Sequence, residues 1–176
     1  MKTLLVIDMQ NAWLDNPASP KFDAAAVIGR INRAASCIRS SGGQVIFLRH
    51  ANDEAVAGSP AWNTIAALAV QANDINVDKR ACDPFADTVL AEQLAAVPPG
   101  TLYICGFATE FCVDSAARAA ASRGFNVVVL SDAHTTSNRP HLPAESIIAH
   151  HNWVWANMAV PADATLALAT TEQAFP

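Results

Sequence analysis

Cysteines and charged residues are scarce in this chain of 176 residues. The four cysteines, Cys37, Cys82, Cys105 and Cys112, are widely spaced and include no C-x-x-C pair. That spacing argues against a disulfide framework or a zinc cluster, and it is typical of reduced thiols in a cytoplasmic protein. The charged residues make up 15% of the chain and carry a net charge of −5, which argues against a nucleic-acid partner.

Long apolar runs and nucleotide-binding motifs are also missing. No run reaches the length of a transmembrane helix, so we expect no membrane partner. The apolar run at residues 3–7 meets Asp8 too early to be the core of a signal peptide. Neither G-x-G-x-x-G nor G-x-x-x-x-G-K-S/T occurs, so nothing indicates nucleotide binding, and we expect no cofactor.

What the sequence does contain is an alternation of strand and helix patterns. Predicted strands cover residues 3–7, 44–48, 74–79, 101–105, 126–130, 152–156 and 165–168. Predicted helices cover residues 23–41, 62–69, 87–96, 109–123 and 139–151, and residues 11–22 are predicted to form a loop. Continuous apolar strands that alternate with helices favour a parallel sheet covered on both faces. The length favours one α/β domain over residues 1–176.

Cys112 lies near the start of a predicted helix that follows the strand at residues 101–105. Gly106 ends the apolar run, Thr109 is the expected N-cap, and Gly124 is the expected helix stop. Backbone N–H groups and the helix dipole lower the pKa of a thiol at such a position. Ligands of open α/β sheets bind at the same edge. Cys112 is therefore a candidate nucleophile, and a buried packing role is the alternative.

Two charged side chains are predicted at other strand ends on the same edge. Asp8 follows the first strand and Lys79 ends the third. A carboxylate can take the proton of a thiol, and an ammonium group nearby favours both anions. His134 is an alternative base, while plain structural roles for Asp8 and Lys79 stay open. His50 is better explained by hydrogen bonding than by metal binding, because no second His or Cys stands at ligand spacing.

The residues around these side chains resemble a known family. The segments LLVIDMQN at 4–11, VDKR at 77–80 with Phe85 after it, CGFATEFCVDSA at 105–116 and SDAH at 131–134 are similar to those of the isochorismatase-like cysteine hydrolases. The resemblance implies a three-layer α/β/α fold with a mostly parallel, Rossmann-like sheet. It implies a catalytic triad of Asp8, Lys79 and Cys112. It also implies a cis peptide before Ala108 and an oxyanion hole formed by the N–H groups of Ala108 and Cys112.

The family includes nicotinamidases, N-carbamoylsarcosine-type and ureidoacrylate-type amidohydrolases, biuret and streptothricin hydrolases, and isochorismatases. Nicotinamidases carry an Asp-x-His…His metal site after the second strand, whereas this chain has RHAND at residues 49–53 and no further His before His134. The resemblance therefore implies a metal-independent amidohydrolase that cleaves a C–N bond of a small molecule through a thioester. Vinyl ether hydrolysis of the isochorismatase type, nicotinamidase activity and a non-catalytic, redox-sensing thiol protein are the alternatives.

The candidate substrate-binding residues are Trp13, Trp62, Phe107 and Glu110, although each is as compatible with ordinary packing or a surface position.

Residues 150–158 place two tryptophans close together, and aromatic residues are favoured at interfaces. Relatives of this type usually assemble, so we expect a homo-oligomer, either a dimer or a tetramer.

Overall fold

The computed structural model describes all 176 residues and contains one six-stranded sheet. The strands are β1 (Lys2–Ile7), β2 (Gln44–His50), β3 (Ile75–Lys79), β4 (Thr101–Phe107), β5 (Asn126–Thr135) and β6 (Thr165–Ala169). Their order in the sheet is β3-β2-β1-β4-β5-β6, and every neighbouring pair is parallel. The carboxyl ends of all six strands therefore lie at one edge, with β1 and β4 in the centre.

Six helices and one π-helical turn complete the fold. The helices are α1 (Asn11–Leu14), α2 (Ala24–Ser40), α3 (Leu90–Ala95), α4 (Asp114–Ser122), α5 (Ala144–Asn157) and α6 (Thr171–Ala174), and the π turn covers Thr109–Val113. None of these helices has both the length and the apolar character that a membrane span requires.

Alternation along the strands produces the three layers. Leu5 and Ile7 of β1 pack into the core cluster that contains the alanines of α4, whereas Leu4 and Val6 pack into the cluster that contains α2. Side chains two residues apart share a face of a strand, so each strand supplies both cores. Burial of one such side chain contributes about 1.5–3 kcal/mol. The three-layer α/β/α fold with a parallel sheet is confirmed.

The region after β5 differs from its prediction. A helix was expected over residues 139–151 and a strand over 152–156, but α5 covers both from Ala144 onwards. Pro143 is the N-cap with extended backbone, and Arg139 instead exchanges two backbone hydrogen bonds with Leu142. The fully buried Trp155 donates its indole N–H to Asp114 across 2.7 Å, whereas Trp153 is 66% exposed. Packing of Trp155 outweighs the strand preference of this aromatic stretch, and the homo-oligomer stays a prediction.

Two segments that pass close to the sheet edge were also predicted incorrectly. No helix forms over residues 62–69, because Thr64 pairs with Gln10 and the Ile65 N–H donates to the Met9 carbonyl. The loop predicted for residues 11–22 begins with the short helix α1. Pairing with the chain after β1 therefore holds residues 62–69 beside the sheet edge.

The end of β4 carries the nucleophile candidate and departs from a simple strand–helix junction. Gly106 does not end the strand: it has a φ of 119°, and a Cβ there would lie 2.2 Å from the Ile7 carbonyl oxygen, so the close approach of β1 requires glycine. The Phe107–Ala108 peptide bond is cis. The helix then starts with the π turn, and Ala108, not Thr109, occupies the N-cap position.

Candidate active site

Three side chains that the sequence assigned to separate strand ends meet in the structure. Asp8 follows β1, Lys79 ends β3, and Cys112 lies in the π turn after β4. The Lys79 ammonium nitrogen lies 2.7 Å from Asp8 Oδ2 and 3.2 Å from Cys112 Sγ. The three residues, called the pocket cluster below, are all buried. Asp8 also has a φ of 48°, an uncommon conformation for a residue with a side chain, and such strain concentrates at functional sites.

His50 joins this cluster, which sequence reasoning did not predict. Its Nδ1 lies 3.1 Å from Lys79 Nζ, because the two residues are paired at the ends of β2 and β3. The buried Gln10 fixes this strand end by hydrogen-bonding both the N–H and the carbonyl of His50. The pairing of two strand ends is the signal that could have revealed the contact.

Asp8, His50 and Cys112 carry the types of atom that bind metal ions. The ligand atoms of Asp8, His50 and Cys112 lie within 4.8 Å of one another and form the only such group in the chain. However, Lys79 Nζ lies 2.7–3.2 Å from a ligand atom of each of the three residues. A cation is thus already present among these ligand atoms, and a metal ion would have to displace it. The residues do not fit a metal while Lys79 is in place.

Burial dominates the protonation of the pocket cluster. It raises the pKa of the Asp8 carboxyl despite the opposing charge of Lys79. Burial and the neighbouring Asp8 raise the pKa of the Cys112 thiol well above its ordinary value, and Lys79 offsets only part of this. Burial disfavours the Lys79 ammonium, but Asp8 and Cys112 outweigh it, so the Lys79 pKa is raised. The resting state therefore combines a thiol with a charged lysine.

This direction of the Cys112 shift contradicts the sequence-based expectation. A helix start was expected to lower the thiol pKa, yet the residue is only 8% exposed and sits beside a carboxylate. Desolvation disfavours a charged thiolate, and a nearby anion disfavours it further. The first turn is also π-helical rather than α-helical. Cys112 is thus a shielded thiol whose pKa is raised, rather than a thiolate with a lowered pKa.

The pocket cluster opens into a pocket of about 400 Å³. Asp8, Cys112 and Ala108 line it together with Trp13 and Phe107, two of the four predicted substrate contacts. The carbonyl of Ala108 accepts hydrogen bonds from Phe111 and Val113, whereas its N–H makes no backbone hydrogen bond. That N–H group is available as a donor beside the thiol.

The other two predicted contacts lie outside the pocket lining. Trp62 packs in a small cluster with Ala51 and Ala55, and the guanidinium carbon of Arg49 lies 3.8 Å from the centroid of its ring. Glu110 accepts a 2.6 Å hydrogen bond from Arg139, because the π turn directs it toward the segment after β5. Glu110 therefore does not line the pocket itself, but it orients Arg139, which does.

His134, the alternative base, is committed elsewhere. Its Nε2 lies 3.0 Å from Asn152 Oδ1, and its Nδ1 lies 2.9 Å from Thr109 Oγ1. Because an amide oxygen only accepts, Nε2 carries the hydrogen and Nδ1 accepts from the Thr109 hydroxyl. Burial lowers the His134 pKa to about 4. These three residues, called the closed cluster below, do not line the pocket, and neither ring nitrogen is free to take a thiol proton.

Several pocket residues were not predicted. Lys21, Asn16 and Ser19 come from the segment between α1 and α2, and Ser137 and Arg139 come from the segment after β5. Lys21 is one of only three lysines in the chain. This scarcity is the signal in the sequence that could have marked Lys21 as a candidate binding residue.

These features, a parallel three-layer sheet and a buried Asp–Lys–Cys cluster at its carboxyl edge, define a recognisable class. Residues 2–173 match the model of the isochorismatase domain. The chain belongs to the isochorismatase family, which confirms the resemblance seen in the sequence. A crystal structure of an isochorismatase family protein has a TM-score of 0.87 and 30% identity, over 96% of this chain and 98% of that one.

Two of the relatives to which the chain is similar carry names that state a reaction. A streptothricin hydrolase of Streptomyces noursei is 32% identical over 148 residues, which are 81% of this chain and 52% of that protein. The chain thus spans about half the length of that relative. The ureidoacrylate amidohydrolase RutB of Stutzerimonas stutzeri is 30% identical over 168 residues, covering 74% of this chain and 68% of that protein.

Proposed function

We propose that this chain is a hydrolase of the isochorismatase family that cleaves a C–N bond in a small substrate through a thioester. Cys112 is the nucleophile, Asp8 the base and Lys79 the balancing cation. The observation that carries the proposal is the contact of Lys79 Nζ with both Asp8 Oδ2 and Cys112 Sγ beside a pocket. The hydrolase and amidohydrolase relatives support the type of reaction.

The first step follows from the protonation of the cluster. Because the Cys112 pKa is raised, the thiol attacks the carbonyl carbon as its proton moves to Asp8. Asp8 Oδ1 is buried without a hydrogen-bond partner, so one lone pair is open to receive that proton. Burial raises the Asp8 pKa, which makes it a stronger base than an exposed carboxylate. The Lys79 ammonium balances the negative charge throughout.

Collapse of the tetrahedral intermediate completes acylation. The backbone N–H groups of Ala108 and Cys112 are the proposed donors to the oxyanion, and each such donor is worth about 3–4 kcal/mol in comparable sites. Asp8 passes its proton to the leaving nitrogen, the C–N bond breaks, and an S-acyl Cys112 remains. Asp8 then activates a water molecule that hydrolyses the thioester, releases the acid and restores the thiol.

Two features favour this reaction over redox sensing and over a metal-dependent route. A redox-sensing cysteine depends on thiolate character and exposure, whereas Cys112 is 8% exposed and has a raised pKa. A metal-dependent route would need the position among Asp8, His50 and Cys112 that the Lys79 ammonium takes. We therefore propose chemistry that depends on the lysine rather than on a metal ion.

The test is a substrate panel with a matched variant. Small amides, ureido compounds and isochorismate are incubated with the wild-type protein and with Cys112→Ala, and release of ammonia, amine or pyruvate is measured. We expect ammonia or amine from the wild type alone. Equal release by Cys112→Ala would overturn the nucleophile assignment, and release of pyruvate only would assign vinyl ether hydrolysis instead.

A further inference from the structure

One wall of the pocket carries two cations. Lys21 and Arg139 both line it, from separate segments of the chain. An isolated antiparallel bridge pairs Lys21 with Ser137, two residues before Arg139, so the backbones of the two segments are held together. Lys21 and Arg139, called the cationic wall below, are close enough to affect each other. Burial lowers the Lys21 pKa, and the charge of Arg139 lowers it further.

The two cations differ in their partners. Arg139 donates to Glu110 across 2.6 Å and to Thr136 across 3.2 Å, so a carboxylate balances its charge. Lys21 forms no salt bridge with any acidic residue: its ammonium donates to the Ser19 carbonyl and lies 5.5 Å from the centroid of the Phe107 ring. A partly buried ammonium beside a second cation is costly unless an anion binds it. The net charge of the wall, with Glu110 included, is one positive unit.

The pocket is also polarised from side to side. One side of the pocket is lined by His50 at the end of β2 and by Asn52 and Glu54 after it, whereas the cationic wall lies beside the segment after β5. The strand order puts β2 and β5 three positions apart, about 14 Å at ordinary strand spacing. Asp8 after β1 and Ala108 after β4 lie between the two sides. A substrate whose reacting carbonyl is near Cys112 can therefore extend one end toward Lys21.

We propose that the cationic wall binds a carboxylate at the non-reacting end of the substrate, so that the substrate class is a small amide or ureido acid. A monoanion matches the single uncompensated charge of the wall. Lys21 supplies a direct ion pair, and the guanidinium of Arg139, oriented by Glu110, supplies a planar donor that suits a carboxylate. This inference rests on the proposed function only for the identity of the reacting group.

The test compares two thiol reagents of similar size, one of which carries a negative charge. Iodoacetate and iodoacetamide both alkylate thiols, and the rate at Cys112 is followed by mass spectrometry of its peptide at constant pH. We expect the ratio of the iodoacetate rate to the iodoacetamide rate to fall about fivefold in Lys21→Met, the upper range for a partly exposed ion pair. Lys21→Arg should restore most of the ratio.

Two controls separate this effect from a change in the thiol itself. Lys2→Met removes a lysine at the opposite end of the sheet and should leave the ratio at Cys112 unchanged. The ratio of the two alkylation rates at Cys37, measured in the same samples, should be the same in Lys21→Met as in the wild type. In the wild type, added salt should slow iodoacetate at Cys112 more than iodoacetamide, because salt screens an attraction between charges. This readout does not depend on the folding of any variant.

The outcomes also separate this inference from the proposed function. An unchanged ratio in Lys21→Met, or an absence of salt dependence specific to iodoacetate, would overturn the anion site even if the chain hydrolyses neutral amides. A ratio that falls as expected supports the site even if no substrate of the panel is hydrolysed. Among substrates that are cleaved, each acid should be preferred over its carboxamide, and the reverse order would contradict the inference.

Discussion

Two buried polar clusters lie at the carboxyl edge of the same sheet and differ in what they leave free. The pocket cluster of Asp8, Lys79 and Cys112 is charged, Asp8 and Cys112 line the pocket, and Asp8 Oδ1 has no hydrogen-bond partner. The closed cluster of Thr109, His134 and Asn152 is neutral, and both ring nitrogens of its histidine are bonded.

This difference in hydrogen bonding indicates that the two clusters have different roles. Buried polar groups are normally satisfied, and an exception calls for an explanation. In the closed cluster every bond joins two elements: Thr109 of the π turn, His134 of β5 and Asn152 of α5. In the pocket cluster the unsatisfied oxygen belongs to the carboxyl group that lies near the Cys112 thiol and for which we propose the role of base. We infer that the closed cluster holds the π turn in place, while the pocket cluster moves a proton.

The largest expected effect is the loss of activity in Cys112→Ala. Removal of the nucleophile should lower turnover by at least about 10³-fold, because Cys82, the other thiol that lines the pocket, is not hydrogen-bonded to Lys79 as Cys112 is. The small, buried substitution should leave the circular dichroism spectrum unchanged. Turnover of any substrate found with the panel measures the effect. Residual activity within tenfold of the wild type would contradict the division between the two clusters.

The second effect is on stability and tests the charge balance of the pocket cluster. Lys79→Met leaves the buried Asp8 without its cation, so we expect a loss of about 3–5 kcal/mol in the free energy of unfolding. The double variant Asp8→Asn/Lys79→Met removes both charges and should recover part of that loss. Urea denaturation of the two single variants and the double variant measures the coupling. Strictly additive losses would show that the two charges do not interact.

The third effect is the pH dependence contributed by the closed cluster. The folded His134 pKa of about 4 is below the unfolded value of 6.5, so the unfolded state binds more protons between these values. Stability from this group is complete above pH 6.5 and is lost as the pH falls toward 4, by at most about 3 kcal/mol. In His134→Gln this loss should be absent, whereas the exposed His150→Gln should behave as the wild type does.

The smallest effect concerns the two tryptophans predicted to bind substrate. Trp13 lines the pocket and Trp62 does not, so Trp13→Leu should raise KM while Trp62→Leu should leave KM within about twofold. Trp62→Leu should instead lower the unfolding midpoint, since Trp62 is buried against Ala51 and Ala55. A rise in KM for Trp62→Leu alone would show that the pocket extends further than its observed lining.

Much of the sheet and the core of the site could be predicted from the sequence, for a physical reason. The apolar run before Asp8 and the alternating pattern that ends at Lys79 each specify a strand and the position of a charge at its end. Because parallel strands align their carboxyl ends, local signals were enough to bring these groups together. The family resemblance supplied the roles, which stay proposals, as do the single domain, the cytoplasmic location and the homo-oligomer.

What could not be predicted depends on contacts between distant segments. The start of α5 at Ala144 depends on the pairing of Arg139 with Leu142, and the helical state of residues 152–156 depends on burial of Trp155. The contact of His50 with Lys79 requires the register of β2 and β3. The raised pKa of Cys112 depends on desolvation, which a helix-start argument from sequence does not include.

Alkylation of Cys112 by iodoacetamide across a range of pH tests most directly whether Cys112, Asp8 and Lys79 act as one electrostatic unit. Asp8→Asn removes the anion that raises the thiol pKa, so the apparent pKa of alkylation should fall below that of the wild type. Lys79→Met removes the cation that lowers it, so the apparent pKa should rise. Shifts in the same direction, or no shift in either variant, would contradict the account.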